Sequence, residues 1–262
     1  MNVLHFEQGT LPLLISIPHA GTALTPEVEA GLVPQAKTLP DTDWHIPRLY
    51  DFARQMGASV LIGNYSRYVI DLNRPPDDQP LYTTATTGLW PNTLFDGTPL
   101  FLDGQAPTPE LRQGYLETIW KPYHQTLQRE LNRLRVKYGY ALLFDAHSIA
   151  STVPRLFDGR LPDVNLGTNS GDSCSPEIRD ALQAVCAQQT QLSWVVDGRF
   201  KGGYITREYG QPAKQQHAVQ LELAQINYME EQAPFNWHAE RAAATQTLLK
   251  QLMSTYVAHG HC

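Results

Sequence analysis

The fold is indicated most clearly by residues 111–148, LRQGYLETIWKPYHQTLQRELNRLRVKYGYALLFDAHS. Between residues 111 and 138, apolar side chains recur at helical spacing, which predicts a long helix that bends at Pro122. The apolar run at residues 141–144 is typical of a buried strand, and it ends at Asp145, Ala146 and His147. A helix that leads directly into a buried strand is the repeating unit of an α/β fold.

The rest of the chain continues this alternation of strands and helices. Further strands are predicted at residues 11–17, 59–62, 68–72, 192–196 and 218–223, and further helices at residues 41–56, 176–188 and 237–256. We therefore predict an α/β fold, a three-layer α/β/α sandwich with a mixed, mainly parallel sheet, in a single domain covering residues 1–262. Residues 75–109 are rich in Thr, Gly, Pro and Asp, and a loop of that length predicts a lid over the site.

The charge and composition argue against several classes of protein. Lys and Arg number 20 against 26 Asp and Glu, and the basic residues are scattered, so a nucleic-acid partner is not expected. No run approaches the ~20 apolar residues that cross a membrane, and the first residues do not resemble an export signal, so we expect a cytoplasmic protein without a membrane partner. The three cysteines, Cys174, Cys186 and Cys262, lack CxxC spacing, which argues against disulfides and a thiolate zinc site.

Histidines follow two of the predicted strands, His19 in SIPHAGT and His147 in FDAHS. Ligands of α/β sheets collect beyond the carboxyl ends of the strands, so these two imidazoles together favour a shared metal ion. The segment DTDWH offers Asp41, Asp43 and His45 as a third ligand and leaves a position for water, as in catalytic zinc sites. Taken alone, each histidine fits better as a hydrogen-bonded residue at a strand end.

Glu222 interrupts an apolar strand. In HAVQLELAQ, Val219, Leu221 and Leu223 occupy one face, and Gln220 and Glu222 occupy the other. A buried carboxyl beside a metal-bound water has a pKa suited to a general base. If the segment instead forms an amphipathic helix, Glu222 is a solvated surface residue.

Three arginines lie beside predicted loops, where a guanidinium can bind a carboxylate through two hydrogen bonds: Arg67, Arg74 and Arg207. They predict an anionic substrate, and the alternative for each is an ion pair with Asp71 or Glu208. His124, on the long helix, either reaches the site or is a helix residue without a catalytic role. The sequence contains no GxSxG, GxGxxG or GK[ST] motif, which argues against a serine nucleophile and a nucleotide loop.

Six segments occur in a fixed order between about residues 13 and 230. They are SIPHAGT, DTDWHIPRLYDFA, NYSRYVIDLNRPP, LLFDAHSI, GRFKGGYITREYG and HAVQLELAQ. Together they resemble the N-formylglutamate amidohydrolase (deformylase) family of histidine degradation. The resemblance implies a small anionic N-formyl amino acid as substrate, L-glutamate and formate as products, and a fold similar to that of zinc carboxypeptidases.

The resemblance also implies roles for individual residues. It makes His19, Asp43 and His147 the ligands of one zinc ion per chain, or of another divalent metal, with Asp41 and His45 as substitutes for Asp43. By the same resemblance Glu222 is the general base. The implied substrate contacts are Arg67, Arg74, Arg207 and Thr206, with Arg74 also holding the tetrahedral oxyanion and Arg199 and Lys201 close to the ligand.

Two other functions are compatible with these residues. One is a zinc-dependent hydrolase of another N-acyl or N-formimidoyl amino acid, or of a peptide terminus. The other is a small-molecule-binding protein that has the fold but no catalytic activity.

Overall fold

The computed structural model describes residues 2–81 and 86–261. Within these residues, strands form one seven-stranded sheet with helices on both faces. The strands are β1 (Leu4–Glu7), β2 (Leu13–Ile17), β3 (Ser59–Gly63), β4 (Ala141–Ile149), β5 (Val164–Gly167), β6 (Trp194–Val196) and β7 (Gln216–Ala224). Their order across the sheet is β1-β3-β2-β4-β7-β5-β6.

Helices occupy much of the remaining described chain. They are α1 (Pro26–Gly31), α2 (Ile46–Leu49), α3 (Phe52–Met56), α4 (Pro109–Tyr115), α5 (Lys121–Tyr138), α6 (Pro176–Gln188), α7 (Tyr204–Tyr209) and α8 (Ala239–Ala258). Short 3-10 helices cover Pro34–Thr38, Asn169–Gly171, Pro212–Lys214 and Gln225–Asn227. None of the helices in the described part of the chain combines the length and apolarity needed to cross a membrane.

The sheet is mixed and mainly parallel, as predicted. The pairs β2–β3, β2–β4, β4–β7 and β5–β6 are parallel, whereas β1–β3 and β5–β7 are antiparallel. Side chains on β4 alternate between two cores: Leu142 and Phe144 pack on the side of α2, α3, α6 and α8, and Ala141 and Leu143 pack on the side of α1, α4, α5 and α7. The predicted α/β/α layering is therefore confirmed.

Strands β4 and β7 are longer than predicted. The two strands pair along their whole length, from Ala141 opposite Gln216 to Ile149 opposite Ala224. This pairing continues the strand past the apolar run, so His147 lies on β4 itself and not in a loop that follows it.

The strand predicted at residues 68–72 is wrong. This segment consists of turns and irregular backbone, in which the Val69 amide donates to the Ser66 carbonyl at 2.9 Å and the Asp71 amide donates to the Leu89 carbonyl at 2.9 Å. Its apolar side chains are nevertheless buried in the core beside α5. The apolar pattern shows only that these side chains are buried, and a packed turn can bury its side chains as a strand does.

The single helix predicted at residues 41–56 is also wrong. Two short helices, α2 and α3, take its place, and a turn precedes them. His45 has a φ of 62°, a left-handed conformation that a helix does not accommodate. Pro47 lies in the first turn of α2, where its missing N–H has no helical partner to lose.

The long helix predicted at residues 111–138 is present as α4 and α5, joined by a π-helical turn at Leu116–Trp120. Pro122, which lacks an N–H for the helical ladder, is the second residue of α5, just after this turn. Strands β1 and β5 and helix α7 were not predicted, because four to six residues are too few for a clear periodicity.

Candidate active site

Polar side chains project from one face of three neighbouring strands at their carboxyl ends. Ser16 on β2 lies opposite Asp145 on β4, which lies opposite Gln220 on β7, and one step further His147 lies opposite Glu222. Their positions alternate with those of core residues on the α8 side, so all five point to the face covered by α5. The carboxyl ends of parallel strands are where α/β sheets bind ligands.

Three buried side chains, His19, Asp43 and His147, converge at this edge. Each offers one ligand atom, and these atoms lie within 4.8 Å of one another. The imidazole centroids are 5.0 Å apart, and Asp43 Oδ2 lies 3.2 Å from His147 Nδ1 and 3.9 Å from His19 Nδ1. Two imidazole nitrogens and a carboxylate form the donor set of many catalytic zinc sites.

The opposite nitrogen of each imidazole is held by a carboxylate. His19 Nε2 donates to Asp71 Oδ1 at 2.7 Å, and His147 Nε2 donates to Asp145 Oδ2 at 2.8 Å. These bonds favour the tautomer that leaves both Nδ1 atoms available to a metal, as in histidine ligands generally. Asp43 Oδ1 is buried and has no hydrogen-bond partner among the described residues, a cost that a bound cation would remove. The residues present therefore fit a divalent metal.

Local backbone contacts place Asp43 in this cluster. The Asp43 amide donates to the His19 carbonyl at 3.0 Å, and Asp43 Oδ2 accepts from the Ser148 amide at 3.2 Å. The two other candidates from DTDWH point elsewhere: Asp41 Oδ2 accepts from the Phe95 amide, and His45 Nε2 donates to the Phe235 carbonyl. Of the alternatives that the sequence left open, Asp43 is the one that reaches the histidines.

The two imidazoles have opposite pKa shifts. Burial and the nearby Arg67 guanidinium lower the pKa of His19. Burial acts in the same direction on His147, but Asp145 and Asp43 outweigh it and hold its pKa well above the usual value. A metal that bound His147 would compete with a proton for its Nδ1 atom, so its affinity would depend on pH.

Glu222 lies in a buried position beside this cluster. Burial raises the pKa of its carboxyl to about 8. The positive charge of His147 opposes this shift, and the negative charge of Asp43 adds to it. Gln220 Nε2 donates to Glu222 Oε2 at 3.3 Å. The residue is on a strand, as predicted, and it lines a cavity at this edge of the sheet.

A cavity that opens to solvent lies over the cluster. His19, His147 and Glu222 form part of its wall. Arg67, Arg74 and Arg199 also line it, and their positive charges make it suited to an anionic ligand. Arg67 in addition pairs with Asp71 at 2.7 Å, the ion pair given above as the alternative to a substrate contact.

Two predicted substrate contacts lie outside the described wall of this cavity. Thr206 is fully buried, and Arg207 Nε donates to the Gly202 carbonyl at 2.9 Å. Lys201 is exposed and is also absent from the described wall. Arg199, by contrast, does line the cavity, and its Nε donates to the Leu156 carbonyl at 2.7 Å.

The loop predicted as a lid contributes Thr86, Thr87 and Phe95 to the cavity wall. In its described parts, residues 75–81 and 86–108, it contains no helix or strand, and isolated bridges hold it. Residues 82–85, which belong to the predicted lid, lie outside the described residues. Closure over a ligand stays a prediction.

Asp71, Asn73 and Asp145 were not predicted to belong to the site. A signal for Asp145 was present, because a residue two positions before His147 on a strand shares its face. Asp71 and Asn73 reach the site from the turns after residue 66. They were missed because a strand was predicted at residues 68–72, and its geometry would not bring both side chains to the histidines.

An α/β sheet with a buried two-histidine, one-aspartate cluster at its strand ends places the chain among α/β proteins with a candidate metal site. A family model, N-formylglutamate amidohydrolase, matches residues 11–229. Two relatives named N-formylglutamate deformylase are similar to the chain over 258 residues, 98% of it and 97% of each relative: that of Pseudomonas aeruginosa is 61% identical and that of Pseudomonas putida 63%. The chain belongs to the N-formylglutamate amidohydrolase family.

Solved structures resemble this fold over nearly its whole length. An N-formylglutamate amidohydrolase from Ralstonia eutropha has a TM-score of 0.82 at 21% identity, covering 100% of this chain and 98% of the other. A gene product of Agrobacterium tumefaciens has a TM-score of 0.75 at 15% identity, covering 98% and 96%. At these identities the likeness supports the fold alone, and the similarity to zinc carboxypeptidases stays a prediction.

Proposed function

We propose that the chain hydrolyses N-formyl-L-glutamate to L-glutamate and formate, as a step of histidine degradation, with one zinc ion held by His19, Asp43 and His147. The observation that carries the proposal is the convergence of these three side chains beside Glu222, in a cavity lined by arginines. The name N-formylglutamate deformylase of both bacterial relatives supports this choice of substrate.

The proposed chemistry is the attack of water on the formyl carbon. Zinc at this site would polarise the formyl oxygen and lower the pKa of a water molecule. Glu222 takes a proton from the attacking water and delivers it to the glutamate nitrogen as the C–N bond breaks. Burial raises the pKa of the Glu222 carboxyl to about 8 in the metal-free protein, and the positive charge of a bound zinc ion would lower it towards neutral pH, where the carboxyl can both accept and release a proton.

Arginines supply the proposed contacts to the substrate carboxylates. Arg67 and Arg74 line the cavity, and Arg74 is oriented by the carbonyls of Asn73 and Thr87, at 2.9 and 2.6 Å. We propose that Arg74 also holds the oxyanion that forms during attack. In place of Arg207 and Thr206 we propose Arg199 as the third contact, because it lies on the cavity wall.

The decisive experiment is a formate-release assay on N-formyl-L-glutamate. The purified protein should release formate, lose the activity on treatment with a chelator and regain it with added Zn²⁺. N-acetyl-L-glutamate, N-formimidoyl-L-glutamate and a peptide with a C-terminal glutamate serve as comparison substrates. Faster turnover of any of these would replace the proposed substrate, and a zinc-loaded protein that hydrolyses none of them would favour a binding protein without catalytic activity.

A further inference from the structure

One residue, Asn73, donates to both carboxylates that hold the histidines of the cluster. Its backbone amide donates at 2.9 Å to Asp71 Oδ1, the oxygen that also accepts from His19. Its side-chain Nδ2 donates at 3.2 Å to Asp145 Oδ2, the oxygen that also accepts from His147. The two histidine–carboxylate pairs are therefore linked through a single side chain and its own backbone.

The orientation of the Asn73 amide is fixed by a third contact. The Ile205 amide, in the first turn of α7, donates to Asn73 Oδ1 at 2.8 Å. This bond identifies the oxygen and turns Nδ2 towards Asp145. Asn73 Nδ2 also lies 3.0 Å from His147 Nε2, so both donors converge on the same carboxylate oxygen. A side chain at Gly203 would begin 2.4 Å from Nδ2, so the close approach of α7 requires glycine there.

The backbone on either side of Asn73 is held by the long helix. His124 Nε2 donates to the Leu72 carbonyl at 2.9 Å, and Trp120 Nε1 donates to the Arg74 carbonyl at 3.0 Å. The rings of Trp120 and His124 stack with centroids 3.7 Å apart, which fixes both donors relative to each other. Trp120 is the last residue of the π-helical turn, a feature that occurs often near functional sites.

We infer that Asn73 is a positioning residue that sets the spacing of His19 and His147 by joining the carboxylates behind them. The inference rests on the proposed metal site and extends it to Asn73, which lies on the cavity wall but is given no contact with metal or substrate in that proposal. Asn73 acts on the metal through Asp71 and Asp145, so its loss should change metal affinity and geometry more than global stability.

The test replaces Asn73 by Asp, which keeps the size, the backbone amide and an acceptor for Ile205 but loses the donor to Asp145. Zn²⁺ affinity is measured by competition with a chromophoric chelator, and the visible absorption spectrum of the Co²⁺-substituted protein reports the geometry of the ligands. Partners behind metal ligands typically contribute about 10- to 100-fold in affinity, so we expect a loss in that range together with a shifted Co²⁺ spectrum.

Asn227→Asp is the matched control, because Asn227 is another largely buried asparagine whose Nδ2 donates to carbonyls, those of Ala224 and Asp163. It should keep wild-type Zn²⁺ affinity and spectrum. Asn73→Ala, which adds no charge, serves if Asn73→Asp does not fold, and it should weaken Zn²⁺ binding in the same direction.

Three results would overturn the inference. Wild-type Zn²⁺ affinity and Co²⁺ spectrum in a folded Asn73 variant would show that Asn73 has no positioning role, and the proposed metal site would be unaffected. An equal loss in Asn227→Asp would reduce the effect to general destabilisation. A wild-type protein that binds neither Zn²⁺ nor Co²⁺ would remove the proposed metal site together with this inference, and the formate assay would then decide separately whether hydrolysis remains.

Discussion

Glu222 stands directly opposite His147 across two parallel strands, and this register brings a protonatable carboxyl to the cluster of His19, Asp43 and His147. Replacement by Gln keeps the size and the hydrogen bond to Gln220 but removes the carboxylate proposed as the general base. We expect Glu222→Gln to lower kcat by about 10²- to 10⁴-fold, the usual contribution of a general acid–base group. Formate release measures the activity, and elemental analysis should find the zinc content unchanged.

Glu117→Gln is the control for this variant, because Glu117 is an exposed residue paired with Lys121 on the helix surface. Its activity should equal that of the wild type. Full activity in zinc-loaded Glu222→Gln would remove the general-base assignment and leave the proton transfer to another group.

The arginines of the cavity allow a second prediction at this scale. Arg199 lines the cavity, whereas Arg207 lies outside its described wall. A charge-assisted hydrogen bond contributes about 1.5–3 kcal/mol, so Arg199→Gln should raise KM for N-formyl-L-glutamate by roughly 10- to 100-fold with kcat little changed. Steady-state kinetics of Arg199→Gln, Arg207→Gln and the surface control Arg129→Gln measure this. A larger rise in KM for Arg207→Gln would restore the contact originally predicted from the sequence.

Individual site residues could be predicted where they lie at the end or on the polar face of an apolar strand pattern. His19 and His147 stood at the ends of apolar runs, and Glu222 stood on the polar face of a period-two pattern. The sequence could not distinguish Asp43 from Asp41 and His45 as the third ligand. The conformation of a turn decides which of these side chains faces the sheet, and a turn has no periodicity that predicts it. Asn73 was missed because its importance arises from bonds to residues two and 72 positions away.

At the scale of elements, the apolar pattern of the sequence showed which segments are buried better than it showed their secondary structure. Strands β2, β4 and β7 were predicted because their apolar residues continue over enough positions to be recognised. Residues 68–72 carry the same apolar signal but form a packed turn, so hydrophobicity alone could not distinguish the two. The error matters for the site, because this turn, and not a strand end, brings Asp71 and Asn73 to the histidines.

Helix α5 contacts this turn through His124, which gives a prediction about stability. His124 is buried, and burial lowers its pKa to about 4 from an ordinary value near 6.5. Between these two values the unfolded chain binds a proton that the folded protein excludes, so stability falls as pH is lowered from about 6.5 to about 4. The full effect is on the order of 3 kcal/mol.

Denaturant unfolding of the metal-free protein at pH 7 and pH 4.5 measures this effect. His124→Gln cannot titrate, so it should lose less stability between the two pH values than the wild type, although it is less stable at pH 7. An equal loss in the two proteins would mean that the His124 proton does not contribute to acid sensitivity.

At the scale of the whole molecule, the proposed metal joins parts that are distant in the sequence. His19 follows β2, Asp43 precedes α2, and His147 lies on β4. The α2 helix packs in the core on the α8 side, whereas the His147 side chain faces α5. A metal at this point would therefore connect strand β4 to the loop after β2 and to the turn before α2. A ligand that binds only the folded protein adds its binding energy to the stability.

Removal of the metal should accordingly lower the thermal stability of the entire chain. At free Zn²⁺ of 100 times Kd, binding stabilises the folded state by about 2.7 kcal/mol. Since 1 kcal/mol shifts Tm by roughly 2–4 °C in chains of about this length, Zn²⁺ should raise Tm by roughly 5–10 °C over the chelator-treated protein. Scanning calorimetry measures the shift, and His147→Ala should show little of it because it has lost a ligand. An equal rise in wild type and His147→Ala would mean that Zn²⁺ stabilises the protein at another place, and the convergence of His19, Asp43 and His147 would then need a different explanation.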